Sequence, residues 1–303
     1  MKLDLIEAFL ATVETGSIRA AAKRLNQSQP GLSKKIRQLE GELGVPLITR
    51  SAKGIDLTVY GEAFEVRARA IRNETGRALE EVRQLRGQLE GVVRISLAPS
   101  SSVDLVAKTV RLFQRDCPNV RLDIHEGLQA LAVEKLRAGS IDFAVCPLWE
   151  PLPESEFIVE QIEVMKMAVV TSANSRYRDC TSLSELDDAH WVHVGAGANI
   201  SPLVVKIFQE AGLSAPLPKM ECYSLTSTLA FLFDSDAVAL LPAKMAEQPQ
   251  YRSLLAKVPV REPIPDYPLY IIHRRESPLT PASKTLATYF QRVAESKRLA
   301  AGS

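Results

Sequence analysis

Gly16-Ser17-Ile18-Arg19-Ala20-Ala21-Ala22 and, further along, Ser28-Gln29-Pro30-Gly31-Leu32-Ser33-Lys34-Lys35-Ile36-Arg37 carry the signal that decides how the N-terminal part folds. The first piece reads as a short helix from Ile18 to about Leu25, opened by Ser17 as a hydroxyl cap. Its alanines leave room for a second helix to cross closely. Asn26-Gln27-Ser28 is a polar break. Ser28 caps the next helix, and Pro30 is tolerated in its first turn. Leu32, Ile36, Leu39 and Leu43 then fall on one apolar stripe. Pro30, Ser33, Lys34 and Arg37 point away from that stripe, and Gln29 lies on its flank. An outer face of amide, hydroxyl, ammonium and guanidinium groups suits the major groove of DNA, although many merely solvated helix faces look the same.

Outward from this stretch the pattern holds on both sides. Leu3, Ile6, Phe9, Leu10 and Val13 mark an amphipathic first helix, which Gly16 can end in the left-handed conformation. Downstream, Gly44 and Pro46 stop the third helix. Leu47-Ile48-Thr49-Arg50 and Ile55-Asp56-Leu57 then flank Ser51-Ala52-Lys53-Gly54, a hairpin that brings Arg50 and Lys53 near phosphates or a minor groove. Thr58 caps a long helix. In it Phe64, Ala68, Ile71, Thr75, Ala78, Val82, Leu85 and Leu89 repeat with a coiled-coil period. At 1.5 Å per residue that helix extends about 45 Å. The seam implies a homodimer, which pairs two reading heads with two half-sites.

Composition narrows the class. The chain has 303 residues, 46% hydrophobic and 24% charged, which suits two or three globular units. No apolar run is long enough for a bilayer, and the N-terminus lacks the pattern of a signal peptide. The expected location is the cytoplasm, with no membrane partner. Residues 1–91 hold fifteen Lys and Arg against twelve Asp and Glu, so the basic excess falls where DNA contact is expected. Cys117, Cys146, Cys180 and Cys222 are widely spaced, unlike a zinc knuckle or a dithiol motif. Cys180 stands out because Arg176 and Arg178 flank it and can acidify a thiol. No phosphate-binding glycine loop, HExxH or nucleophile elbow is present, and the four histidines are scattered. An enzyme is disfavoured, and no cofactor or metal is expected.

The run from Phe9 to Arg50 resembles the DNA-binding domain of LysR-type transcriptional regulators. It does so through Gly16–Ala22, Ser28–Ser33, Ile36-Arg37-Gln38-Leu39-Glu40 and Leu43-Gly44-Val45-Pro46-Leu47. Gly31 stands where that family usually has alanine, and Lys34-Lys35 replaces a commoner arginine-containing pair. The resemblance implies a winged helix-turn-helix over 1–58 and a dimerising linker helix over 59–90. Ser17, Gln29, Pro30, Ser33, Lys34 and Arg37 would serve the duplex, with Arg50 and Lys53 on the wing. It further implies promoter DNA as partner, dimers that pair into tetramers, and RNA polymerase as a further contact.

From Val92 onward strands alternate with helices, which argues for parallel sheet with helices on its faces. Strands are expected at Val93–Leu97, Val120–Ile124, Ile141–Cys146, Val164–Thr171, Trp191–Val194, Met220–Cys222, Val238–Leu241 and Leu269–Ile272. This part resembles the LysR-type effector domain, itself similar to bilobed periplasmic binding proteins. Lobe one would be 91–163 with 266–303, and lobe two 164–265. Two serine-bearing loops at helix starts, Ser100-Ser101-Ser102 and Gly195–Pro202, are suited to anions, although ordinary capping also uses such residues. Carried over from the family, Ser100, Ser101, Gln129, Pro147, Asn199, Ile200, Ser201 and Ser224 would surround a small-molecule effector. Trp149 reads as a lid or as lobe-edge packing. Tyr270–Pro281, Phe143 and Arg86-Gly87 are similar to a subgroup that includes a toluenesulfonate-responsive regulator, which implies a small organic or aromatic acid. The rival trigger is redox, through Cys180 or Cys222.

Overall fold

In the computed structural model of the chain, residues 1–51, 54–99, 105–194, 202–217, 220–222 and 224–301 are described. They form two units, 1–88 with 135–140, and 89–134 with 141–303. The first begins with α1 (Leu3–Thr15), α2 (Ile18–Arg24) and α3 (Gln29–Leu43). Phe9, Leu10 and Leu39 are fully buried between α1 and α3, while Ala21, Ala22 and Leu32 let α2 pack closely. Ser28 accepts a hydrogen bond from Gly31 N at 3.2 Å and so caps α3. Two expected contacts fail. Leu3 and Leu43, at 51% and 39% exposed, lie beyond the reach of the core. Ser17 occupies the cap position of α2 without making the side-chain bond.

The wing pairs β1 (Ile48–Ser51) with β2 (Gly54–Leu57) antiparallel. Gly54 has φ +129°, and a Cβ there would lie 2.7 Å from Gly16 O. Glycine is therefore needed for both the backbone angle and the close approach to the α1–α2 turn. Thr58 caps α4 (Val59–Leu85), accepting from Gly61 N at 3.0 Å. At 27 residues α4 spans about 40 Å. The expected seam divides along it. Phe64, Ala68 and Ile71 pack into the core of their own chain, with the Phe64 ring 5.3 Å from that of Phe9. Val82 and Leu85 lie exposed, as do Leu79, Val59 and Val66. The reason is that α1 already covers the face carrying Phe64.

The second unit holds two five-stranded mixed sheets. Lobe one comprises β3 (Gly91–Leu97), α5 (Val106–Asp116), β4 (Val120–Glu126), α6 (Gln129–Arg137, its last three residues grouped with the first unit), β5 (Phe143–Pro147), β6 (Phe157–Met165), β12 (Tyr267–Arg274) and α10 (Pro281–Ala301), with strand order β4-β3-β5-β12-β6. Lobe two comprises β7 (Met167–Ser172), a 3-10 turn (Leu183–Leu186), β8 (His190–Val194), α7 (Pro202–Glu210), β9 (Met220–Cys222), α8 (Leu225–Phe233), β10 (Ala237–Pro242), α9 (Ala243–Glu247) and β11 (Leu255–Lys257), ordered β11-β7-β10-β8-β9. Strands β3, β4 and β5 are parallel as expected. Both β5 and β6 pair with β12 antiparallel, because the chain leaves lobe one on β6 and returns on β12. What reads as one strand from Val164 to Thr171 is the end of β6 and all but the last residue of β7, broken at Lys166. Lys166 Nζ meets Asp266 Oδ2 at 2.7 Å, tying the outgoing and returning segments together. Being exposed, that pair contributes at most about 1 kcal/mol. No described helix is long and apolar enough to cross a membrane.

Candidate DNA-reading face and effector cleft

The polar face of α3 is set by what lies beneath it. Leu32, Ile36 and Leu39 are buried, which leaves Gln29, Pro30, Lys34 and Arg37 exposed and Ser33 half-buried. Arg37 Nε donates to Ser33 O at 3.4 Å, along the helix surface. Several neighbouring charges are already paired. Lys35 turns to Asp4 at 3.0 Å, and Arg24, Arg69 and Arg72 converge on Glu14 at 2.7–2.9 Å. Burial pushes the Glu14 carboxyl up, but the hydrogen bonds and charges of Arg72 and Arg24 outweigh it and hold it below the usual range. Among the described residues Lys34 and Arg37 meet no carboxylate, so both cations are available to an anionic partner. Arg50 sits in β1 with its side chain outside the described residues, and Lys53 lies outside them altogether.

Between the lobes of the second unit lies a cavity that is partly open to solvent. Lobe one contributes Pro99, Leu128, Pro147, Trp149 and Tyr267. Lobe two contributes Val192, His193, Leu203, Val204, Leu225, Leu240, Leu241, Pro242 and Met245, with Met167 where the chain crosses. The wall is mostly apolar. Its polar side-chain groups are the His193 imidazole, the Tyr267 phenol and the Trp149 indole N–H, and no Lys, Arg, Asp or Glu stands among the described lining residues. Burial drives the His193 pKa down, against the opposing pull of Glu221, and so favours the neutral imidazole. Burial drives the Tyr267 pKa up, and its hydroxyl finds no hydrogen-bond partner among the described residues.

The expected effector residues divide four ways. Pro147 lines the cavity. Ser224 caps α8, accepting from Ser227 N at 3.1 Å, directly before the lining residue Leu225. Gln129 is not among the lining residues, and its amide is bonded instead to the backbone of Trp149 and Glu150. Ser100, Ser101, Asn199, Ile200 and Ser201 lie outside the described residues. His193, Tyr267 and Met167 escaped the sequence reading. Strand alternation places Val192 and His193 on opposite faces of β8, and the lining of this cavity by both reflects its position at the strand end.

Cys180 does not behave as expected. The Cys180 pKa is raised, by burial first and then by Glu185. Arg176 is taken by Tyr177, Asp188 and Asp236, and Arg178 by Asp179 and Ala173 O, so neither acidifies it. Burial pushes Cys146 up to about 12 and also raises Cys117. Among the described residues no group of three His, Cys, Asp or Glu side chains is placed to hold a metal.

Comparison with known proteins matches residues 3–62 to the family described as "Bacterial regulatory helix-turn-helix protein, lysR family", and residues 86–295 to the "LysR substrate binding domain". The HTH-type transcriptional regulator GbpR of Azospirillum brasilense is 25% identical over 300 residues, 98% of this chain and 88% of that protein. PcaQ of Agrobacterium fabrum, also an HTH-type transcriptional regulator, is 28% identical over 86% of this chain and 84% of its own length. Full-length CbnR complexed with its target DNA shares the fold with a TM-score of 0.73 at 23% identity, covering 97% of this chain and all of that one.

Proposed function

The chain belongs to the LysR family of bacterial transcriptional regulators, and from that premise we propose that α3 enters the major groove while a small organic acid in the interlobe cleft sets the activity. It is a DNA-binding regulator with a substrate-binding domain, and its relatives are regulators, not enzymes. The observation that carries the DNA reading is the α3 face. Gln29, Pro30, Lys34 and Arg37 stand exposed over a fully buried stripe, and both cations lack a carboxylate partner among the described residues. Two reading heads are joined through the exposed apolar side of α4, where Val82 and Leu85 stand uncovered among the described residues.

An acid suits the cleft because three helices begin at it. Leu128 directly precedes α6, Leu203 is in the first turn of α7, and Leu225 opens α8. Helix N-termini carry partial positive charge and free amide hydrogens, and no carboxylate among the described lining residues opposes them. A thiol trigger at Cys180 is disfavoured on separate grounds, since burial and the charge of Glu185 raise its pKa. Ligand binding would bias lobe closure only as far as its affinities for the two states differ.

The test is fluorescence anisotropy of the full chain on a duplex taken from upstream of its own gene and on an unrelated duplex of equal length. The reading expects preference for the first, affinity that falls steeply with salt, and a shift on adding the right small acid. Equal, salt-insensitive binding to both would contradict it.

A further inference from the structure

We infer that Gln129 is a positioning residue that holds Trp149 as an aromatic wall of the cleft, so that the cleft selects a planar aromatic acid over its ring-saturated counterpart. This rests on the cleft being the effector site.

Gln129 is the first residue of α6, next to the lining residue Leu128. Its Oε1 accepts from Trp149 N at 2.6 Å and from Glu150 N at 3.3 Å, and its Nε2 donates to Glu150 O at 2.8 Å. Three bonds from one side chain to one dipeptide, twenty residues ahead, fix where that backbone runs. With both acceptor sites of Oε1 used, the amide has little left to offer a ligand. What the clasp delivers is the indole. Trp149 packs on Tyr267 with ring centroids 4.6 Å apart and planes inclined by 42°, and both residues line the cavity. Tyr267 in turn is anchored in the core of lobe one. Across the cavity the described wall is largely aliphatic, as Leu203 and Leu241 illustrate. A π-surface fixed on one side and aliphatic groups on the other suit a flat ring. The described lining holds no Lys or Arg whose charge would dominate selectivity. Ring shape therefore decides among acids that carry the same carboxylate. Aromatic pairing contributes a factor of about 2 to 12 in affinity beyond buried area.

The experiment is calorimetric titration of the full chain with matched pairs: benzoate against cyclohexanecarboxylate, and 2-naphthoate against its decahydro counterpart. The native chain is expected to favour the aromatic member of a pair by about 2- to 12-fold. Trp149→Leu and Gln129→Ala should each bring that ratio toward one, and the double variant should go no further than either alone. Trp149→Phe keeps a ring and should preserve the ratio, which separates loss of the aromatic wall from general damage to the fold. Equal binding of both members by the native chain, or a ratio unmoved by Gln129→Ala, would overturn the inference and leave the cleft reading intact. Binding of neither member of either pair by a chain that still binds DNA would overturn both.

Discussion

The proposed DNA-reading face of α3 and the wall of the proposed effector cleft are built in different ways. Gln29, Pro30, Lys34 and Arg37 lie over a finished core and take no part in it. Val192, Leu203, Val204, Leu241, Met245 and Tyr267 line the cleft, yet each is buried and belongs to a hydrophobic cluster of its unit. The reading face is a surface laid on the fold. The cleft is a gap left in the core. A regulator built this way can change its operator with little cost in stability, whereas retuning its ligand disturbs packing. Ligand binding, for the same reason, should stabilise the second unit measurably.

That contrast can be broken most directly with Leu241→Ala. A buried leucine truncated to alanine costs about 2–5 kcal/mol, whereas Gln29→Ala on the reading face should stay within about 0.5 kcal/mol. Urea unfolding of the two variants measures both, and a Leu241 cost as small as that of Gln29 would erase the distinction. Next in size is the pairing of reading heads. Val82→Glu combined with Leu85→Glu should give a monomer by sedimentation and weaken binding to a two-half-site duplex about 100-fold, with the fold intact. A dimer that survives both charges would place the interface elsewhere.

A smaller effect separates the two regions by pH. His193 is held neutral by burial, so its folded pKa lies below its unfolded value. As pH falls below about 6.5 the unfolded chain takes up a proton that the folded state resists. Stability conferred at higher pH is then lost, with a slope of at most about 1.4 kcal/mol per pH unit. Denaturation between pH 7.5 and 5.5 should show this loss, and His193→Asn should flatten it. A loss that the variant does not change would assign the proton to another group. Smallest of all should be Cys180→Ser. Because the Cys180 pKa is raised, the thiol should alkylate slowly near neutrality, and its serine variant should keep any acid response. Loss of that response would restore the redox trigger.

The two regions also differ in how far they could be read beforehand. The reading head announces itself through neighbours in the chain. Ser28, Thr58 and Gly16 are local cap and turn signals, and a helical period needs only one face to be visible. Even there, tertiary packing overruled the pattern at its ends. Leu43 sits past the last turn that α1 covers, and Phe64 serves its own core instead of a partner. The cleft has no such local signature. Leu128, Met167, His193, Leu241 and Tyr267 meet only after two sheets have formed and the chain has crossed between them twice. The antiparallel place of β12 between β5 and β6 likewise depends on that return. Cys180 misled for a related reason. Arg176 and Arg178 are its neighbours in sequence, but in space their charges are met by Asp188, Asp236 and Asp179.

Lys34 and Arg37 of α3, which meet no carboxylate among the described residues, carry the proposed DNA contact. Anisotropy of the native chain and of Lys34→Ala with Arg37→Ala, on the duplex from upstream of its gene between about 50 and 200 mM salt, addresses them directly. The native chain should bind with a steep salt slope. The variant should bind more weakly throughout, with the slope reduced by about 0.9 for each phosphate contact removed. Equal affinity and an unchanged slope would show that DNA is held by some other face of the molecule.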